Sequence, residues 1–466
     1  MSDIKFGTDG WRAIIADDYT VKNVIRVAEA TAFFMESRAM QKVVIGYDCR
    51  FGGKMFAETA ARVFGEHQIE VVMCDHVAST PMVSLAVRKL GADLGVVITA
   101  SHNPPSYNGF KLKSSYGGPS VPDDIAEVEN HIPEKAMKDI MSIEGMTKKG
   151  LITYLNLEDM YYEHVMASFD IDSIRNSKFS IGYDAMYGAG YLIFPRILPK
   201  AICLHCDYNP SFYGQAPEPI ERNLQPFAQL IKGDPSMQIG IANDGDADRI
   251  GMFDGEGNFV DSHHILLLLL LYLHKYKNMT GKVVVTFSVT DKMVQMAKKF
   301  GLEVEVTKIG FKYIAEIMTR EDVLVGGEES GGLAVKGHIP ERDGVWIGLM
   351  ILEFMAKTNK TLRELIQLVY DEVGTFAFDR DDLHITQAVK EEVLEKCHGD
   401  KYTAFGPYKI DRTEKLDGFK YYLNNNTWIM IRPSGTEPVL RVYCEAADRA
   451  TARTTLDAVR KELLGS

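Results

Sequence analysis

Cysteine is scarce, with six in 466 residues. That is too few for a disulfide framework, so a reducing compartment and a cytoplasmic location are expected. Cys203 and Cys206 do form a C-x-x-C. No second pair stands at the spacing a zinc site needs and no helix opens beside them, so they read as two strand-end thiols. Long apolar runs are also missing. The longest, 265–273, falls short of the roughly 20 residues that span a bilayer and reads as a buried helix. The amino terminus has neither the basic head nor the apolar core of a secretory signal. Cations are in deficit, 52 Lys and Arg against 64 Asp and Glu for a net charge of −12. A general nucleic-acid or anionic-membrane binder would more often be basic, so neither partner is expected. An anionic substrate would need a local cationic cleft. No G-x-S-x-G elbow is present, which removes the usual serine-hydrolase signature.

Against these absences stand 46% hydrophobic and 25% charged residues, enough for a sizeable core. At roughly 150 residues per domain the length suggests about three domains. An internal repeat organises the chain. Three segments open with lysine, an apolar strand and a polar turn: KVVIGYDCR from Lys42, KFSIGYDAMY from Lys178 and KVVVTFSVTD from Lys282. Each is followed by a helix, a second strand (from Ile69, Ala201 and Leu302), more helix, and a third strand starting at Gly95, Met237 and Val323. Alternating strands and helices predict α/β units on mostly parallel sheets. Each third strand runs into a polar, Gly- or Pro-punctuated loop. In open α/β sheets ligands gather beyond the strand carboxyl ends, so three such loops could face one site. From about Glu372 the pattern breaks, with a helix expected near 388–396 and strands at 427–431 and 439–446; this reads as a smaller α+β domain. The stretch 19–36 is expected to be a helix capped by Thr20, its apolar stripe facing the core.

The loops carry the chemistry. Ser101, in Thr99-Ala100-Ser101-His102-Asn103-Pro104, sits on a turn after a buried strand and is the candidate nucleophile. Taken alone the segment is more readily a plain turn, and adjacent Ser and His on an extended loop are expected to point apart. Asp244-Gly-Asp246-Ala-Asp248-Arg249 puts three carboxylates on one side of a loop, which calls for a cation unless the run is a solvated acidic turn, the weaker reading because it follows an apolar strand and ends in Arg249. A calcium loop would need Gly at its sixth and Glu at its twelfth position, where Arg249 and Gly255 stand. Three oxygen ligands suggest Mg²⁺, completed by phosphate and water. Gly326-Gly327-Glu328-Glu329-Ser330-Gly331-Gly332 surrounds carboxylates and a hydroxyl with glycine and suits a hydroxyl-rich ligand, or is a surface turn. Arg432-Pro-Ser434-Gly435-Thr436 holds phosphate-binding groups between two strands, or is an ordinary hairpin. Arg12, Asp48, Arg50, Lys111 and Lys312 lie close to these segments and read equally as surface charges.

Together a serine, a cation site, a hydroxyl-binding loop and a phosphate cradle describe phosphoryl transfer on a sugar phosphate. In order, FGTDGWR (6–12), TASHNPP (99–105) with NGFK (108–111), DGDADR (244–249), GGEESGG (326–332) with HIPERDG (338–344), and RPSGTEP (432–438) resemble the α-D-phosphohexomutase superfamily, most closely its phosphoglucomutase/phosphomannomutase members. The resemblance covers essentially the whole chain. It implies an α/β architecture of four domains around a central cleft, three related α/β domains with mixed sheets and a smaller α+β C-terminal domain, placed here at 1–154, 155–258, 259–371 and 372–466. It also implies that Ser101 is carried as phosphoserine, with Mg²⁺ held by Asp244, Asp246, Asp248 and a phosphoserine oxygen. Phosphoserine would donate to a hexose 1-phosphate, and the 1,6-bisphosphate, also the activator, would turn round and return its other phosphate. Lys111 and Arg12 are implied beside the reacting group with His102, and Lys111 is the better general acid/base. Gly327, Glu328 and Ser330 would hold sugar hydroxyls; Arg432, Ser434, Gly435 and Thr436 the non-reacting phosphate; Arg249, Lys312 and His338 would shape the site. The protein is expected to be a monomer or homodimer.

Two departures bear on substrate. Many bacterial mannose/glucose and glucosamine-phosphate enzymes resembling this chain carry histidine where Gly332 stands, and Trp11 replaces the isoleucine or methionine common in glucosamine-phosphate mutases. Glucose 1-phosphate is therefore expected as main substrate, with mannose 1-phosphate second. Phosphoglucosamine mutase, phosphopentomutase, a metal-dependent sugar phosphatase and a non-catalytic sugar-phosphate binder are the alternatives.

Overall fold

Continuous apolar runs, rather than alternation, open each repeat, and such runs become strands covered on both faces. In the computed structural model, which describes residues 4–7, 10–433 and 439–465, the first sheet contains β1 (Trp11–Ile14), β2 (Lys42–Tyr47), β3 (Glu70–Cys74), β4 (Leu94–Ile98), β5 (Tyr107–Ser114), β6 (Gly118–Pro119) and β7 (Ile152–Leu155). Their order is β1-β5-β4-β2-β3-β7, with β6 on β5. β4, β2, β3 and β7 run parallel, whereas β5 is antiparallel to both β4 and β1. The second sheet repeats the plan. β8 (Ser180–Asp184), β9 (Ile202–Leu204), β10 (Met237–Asn243), β11 (Ile250–Asp254) and β12 (Phe259–Val260) are ordered β12-β11-β10-β8-β9. β8 is parallel to β9 and β10, and β11 returns antiparallel on β10. In the third repeat Val323–Gly327 likewise pairs antiparallel with Leu333–Val335.

Each candidate loop is thus the turn between a third strand and its antiparallel return: 99–106 between β4 and β5, 244–249 between β10 and β11, and 328–332 in the third repeat. The sheets are mixed because the chain reverses at these candidate loops.

The helices follow their sequences. Val21–Ser37 is capped by Thr20, whose side chain accepts from the Asn23 amide at 3.3 Å. The leucine run lies in Ser262–Leu271, whose members from Ile265 to Leu271 are all buried. A helix apolar on every side is stable only inside a core. Among the described residues, no helix is long and apolar enough to cross a membrane.

The chain divides into two compact units, Met1–Val284 with Gly310–Ile366, and Val285–Ile309 with Gln367–Ser466. The second carries a six-stranded antiparallel sheet ordered Ala377–His384, Val439–Ala446, Trp428–Pro433, Phe419–Leu423, Tyr408–Glu414, Ala404–Phe405. Helices Gln387–His398 and Arg449–Leu464 cover one face, with Val393, Cys397, Leu456 and Val459 in its core. Phe287, Trp428, Met430 and Tyr443 form a second cluster. The α+β character is as expected, with six strands where two were anticipated.

Candidate active site

β4 is buried along its whole length, and the chain leaves it through Thr99, whose hydroxyl donates to Asp48 at 2.5 Å and accepts from the Ser101 amide at 2.9 Å. Ser101 lies at φ 52°, in the left-handed region. That costs on the order of 1 kcal/mol for a side-chain-bearing residue and is held only by surrounding contacts. The contacts come from Arg50, fully buried. Its guanidinium donates to the carbonyls of Ser101 (2.6 Å), Asn103 (2.7 Å), Pro104 (2.9 Å) and Tyr107 (2.9 Å). Asp48, 3.3 Å from Arg50 Nε, balances the charge. Arg50 therefore fixes the loop backbone instead of meeting a ligand. Arg12 reaches the same loop through Asn103 Oδ1 at 2.7 Å.

The left-handed turn also corrects an expectation. Ser101 and His102 were expected to point apart on an extended loop; the loop is not extended at Ser101, and Ser101 Oγ lies 3.3 Å from His102 Nδ1. Burial, then Arg249 and Arg12, hold the His102 imidazole well below its ordinary pKa, so it is neutral near pH 7.

The second loop meets the first directly. Ser101 Oγ donates to Asp244 Oδ2 at 2.7 Å across 143 residues of sequence. A Cβ on Gly245 would stand 2.4 Å from the Ser101 carbonyl oxygen, so only glycine permits this approach. Asp244, Asp246 and Asp248 are all fully buried, each with an oxygen within 4.8 Å of the others. Such a cluster needs positive charge. Lys111 on β5, also fully buried, supplies part of it at 2.8 Å from Asp246 and 3.2 Å from Asp248. Arg342 pairs with Asp248 at 2.8 Å, and Thr80 donates to Asp246 at 2.5 Å. The carboxylates are accordingly unlike. Burial, then Asp246 and Asp248, push Asp244 well above the usual range. For Asp246 burial is outweighed by Lys111 and Thr80, and its pKa falls.

Oδ1 of Asp246 and Oδ1 of Asp248 are buried with no hydrogen-bond partner among the described residues. Two orphaned carboxylate oxygens beside a third carboxylate form a hard-oxygen donor set, which fits a small divalent cation.

The third loop closes on the second. Ile250 donates to the Gly331 carbonyl at 3.3 Å, and Arg249 bridges Gly332. Glu328 is buried, and burial lifts its carboxyl to about 7 even though Arg342 and Arg249 favour its charged form. Ser330 is exposed. The space a Gly327 side chain would need is filled by Leu266 and Leu333, 2.5 and 2.7 Å from the Cβ position, so that glycine serves packing. Lys312 is half-buried with Nζ over the Tyr313 ring. Gly332 faces Arg342, whose Cδ is 2.5 Å from where a Cβ would stand.

Serine, cation and sugar loops are thus brought together with Arg12, His102, Lys111 and Arg249. His338 is placed otherwise. Its ring stacks on Trp346 at 3.8 Å and bonds Asp343 at 2.9 Å and His164 at 3.2 Å. Among the described residues no hydrogen bond or ion pair joins it to Ser101, the three aspartates or Glu328. Trp11 is 3% exposed and stacked on Tyr19; as a core residue it carries no information on substrate. In the other unit Arg432, near the end of Trp428–Pro433, pairs with Asp417 at 3.3 Å, while Ser434, Gly435 and Thr436 lie outside the described residues.

Arg342 and Thr80 were missed. The signal for Arg342 was present in HIPERDG, where an Arg between two carboxylates follows a proline. Thr80 had none, because its contact with Asp246 spans 166 residues.

Comparison with known proteins matches four successive segments of the chain. Residues 3–139 match the phosphoglucomutase/phosphomannomutase α/β/α domain I family, 159–257 domain II, 261–373 domain III and 387–462 the C-terminal domain. A phosphoglucomutase/phosphomannomutase from Thermococcus kodakarensis is 30% identical over 97% of this chain and 96% of its own length. A phosphoglucosamine mutase from Methanococcus maripaludis is also 30% identical, over 95% of each. A crystal structure from Thermus thermophilus assigned to phosphomannomutase superposes with a TM-score of 0.88 at 31% identity, covering 99% of both chains.

Proposed function

The chain belongs to the phosphoglucomutase/phosphomannomutase family of the α-D-phosphohexomutase superfamily, and from that premise we propose that it converts α-D-glucose 1-phosphate to the 6-phosphate through a phosphorylated Ser101. The observation that carries the reading is the Ser101–Asp244 contact, which seats a serine hydroxyl on a buried carboxylate cluster also holding Lys111. A lone serine turn would not need that cluster.

In this reading Asp244, Asp246, Asp248 and an oxygen of phosphoserine hold Mg²⁺, which when bound withdraws charge from the phosphoryl group. Lys111, kept in place by Asp246 and Asp248, gives a proton to Ser101 Oγ as the phosphoryl group leaves and recovers it on return. His102, neutral and beside the same oxygen, is available as a proton acceptor. Glu328 and Ser330 accept hydrogen bonds from sugar hydroxyls in either orientation of a glucose 1,6-bisphosphate intermediate. Arg12 and Arg249 add positive charge; Arg249 Nε is buried and unpaired among the described residues. Arg432, Ser434, Gly435 and Thr436 take the phosphate that is not reacting. The domains are assigned as 1–154, 155–258, 259–371 and 372–466.

Glucose is taken as the first reading from the likeness of the sugar loop to glucose-type enzymes; Gly332 itself leaves the space that Arg342 fills. Phosphoglucosamine mutase is the second reading, favoured by relatives of equal similarity that bear that name. Phosphorus NMR with Mg²⁺, a trace of glucose 1,6-bisphosphate and the 1-phosphates of glucose, mannose and glucosamine in separate tubes decides. Conversion of glucose 1-phosphate ahead of the others is expected. Faster conversion of glucosamine 1-phosphate selects the second reading, and release of inorganic phosphate without isomerisation refutes both.

A further inference from the structure

Arg342 stands between two parts of the site. On the cation loop its guanidinium pairs with Asp248 at 2.8 Å. On the sugar loop, the point where a Gly332 Cβ would stand is 2.5 Å from Arg342 Cδ and 3.4 Å from Glu328 Oε2. The Arg342 side chain and the Glu328 carboxylate therefore flank one position, and glycine at 332 is what lets them come together there. The same two loops are tied along the backbone, where Arg249 bridges Gly332.

The segment that carries Arg342 is fixed on both sides. Glu341, fully buried, takes Lys113 at 2.6 Å and accepts from Ser84 at 3.1 Å. Its other oxygen accepts from the Arg342 amide at 3.0 Å and lies 3.6 Å from Arg342 Nε. Asp343, also buried, accepts from Tyr161 and from the Trp346 amide. Phe311 lies against the guanidinium, its ring centre 5.4 Å from Cζ. With the backbone at 341–343 anchored, any adjustment falls to the outer atoms of the Arg342 side chain.

Charge decides which way they adjust. Asp248 and Glu328 are both buried carboxylates, and each is costly unless neutralised. They share Arg342, so neutralising one leaves less for the other. Burial lifts the Glu328 carboxyl, and Arg342 leads the charges that oppose the lift, ahead of Arg249. A divalent cation at the orphaned Oδ1 atoms of Asp246 and Asp248 would neutralise Asp248, which also keeps Lys111 at 3.2 Å. The charge of Arg342 is then left to Glu328.

We propose that Arg342 is a positioning residue that couples the two loops, so that a divalent cation at the aspartates and a hexose phosphate at Glu328 each strengthen the other's binding. This coupling rests on the sugar-phosphate reading above and adds a reciprocal linkage to it: the factor by which one ligand raises affinity for the other is the same in both directions. Its carrier is a single side chain with two carboxylate neighbours.

The test is calorimetric titration of the full chain with Mn²⁺, alone and with saturating glucose 1-phosphate or glucosamine 1-phosphate, corrected for Mn²⁺ held by free sugar phosphate. Bound hexose phosphate is expected to raise Mn²⁺ affinity by about 5- to 150-fold. Arg342→Met should bring that factor close to one while both ligands still bind. Arg342→Lys keeps the charge as a single ammonium, which cannot serve two carboxylates as a planar fork does; it should fold and still lose most of the factor, so it decides alone if Arg342→Met does not fold. A merely structural role would lower stability or both affinities and leave the factor intact. A factor of one in the wild type, or one unchanged in these variants because the sugar phosphate itself coordinates the metal, overturns the coupling and leaves the proposed function standing. Failure of both hexose 1-phosphates to bind overturns the two together.

Discussion

Loops 99–106 and 244–249 occupy the same place in two sheets of the same plan, yet they are built in opposite ways. The serine loop is held from beneath through its backbone: one buried guanidinium takes four carbonyls, leaving the side chains of Ser101 and His102 for chemistry. The aspartate loop is held through its side chains, by Thr80 and Lys111 from the first repeat and Arg342 from the third. One loop is a rigid turn that presents a hydroxyl. The other is a charge cluster that exists only because its neighbours neutralise it. A duplicated fold can therefore supply both halves of a site if each copy stabilises the other's loop.

The largest effect should come from removing the presented hydroxyl. Ser101→Ala is expected to lower turnover on the order of 10⁴-fold or more while Mn²⁺ binding to the aspartates persists, measured by isomerisation assay and calorimetric titration. The loss of one hydrogen bond to Asp244 should cost about 1–3 kcal/mol of stability. Retained turnover would transfer the phosphoryl role elsewhere.

Next is the neutralising cation. Lys111→Met leaves Asp246 and Asp248 short of charge in a buried site, and breaking such a pair costs about 3–5 kcal/mol, read by urea unfolding. Activity should fall by about 10²–10³-fold. Adding Asp246→Asn to Lys111→Met should recover much of the stability and none of the activity, which separates charge balance from chemistry.

A smaller effect tests where the loops touch. Gly245→Ala forces a methyl to within 2.4 Å of the Ser101 carbonyl, and the shift should cost about 1–3 kcal/mol and up to about 10²-fold in turnover through misplacement. Gly233→Ala, in a helix with nothing within 4 Å of its Cβ position, should be neutral or stabilising. Equal outcomes for the two would deny that the loops are in tight contact.

The repeat, the buried third strands and the loops were legible because each leaves a local pattern: an apolar run, then polar residues punctuated by glycine. The hairpin return of β5 and β11 was not, since antiparallel and parallel pairing look alike in a short buried strand. Arg50 and Thr80 act across 51 to 166 residues of sequence, a separation no spacing rule reaches. His102 was misjudged because a serine with positive φ has no reliable sequence mark. Ser434, Gly435 and Thr436, expected to cradle a phosphate, lie outside the described residues.

The smallest effect concerns the sugar loop, where folding and binding pull in opposite directions. Burial holds the Glu328 carboxyl at about 7 against an ordinary value of 4.5. The native state therefore binds more protons than the unfolded chain between these values, and stability falls as pH rises through that window, by on the order of 3 kcal/mol when ionisation is complete. Hydrogen bonds from sugar hydroxyls are stronger to the charged acceptor, so affinity for hexose phosphate should improve over the same rise. The expected signature is a KM that falls between about pH 6 and pH 8 while the urea midpoint also falls. Glu328→Gln, neutral at every pH, should flatten both curves and bind sugar phosphate more weakly. Wild-type curves that move together instead would mean that Glu328 is not the group through which this loop senses its ligand.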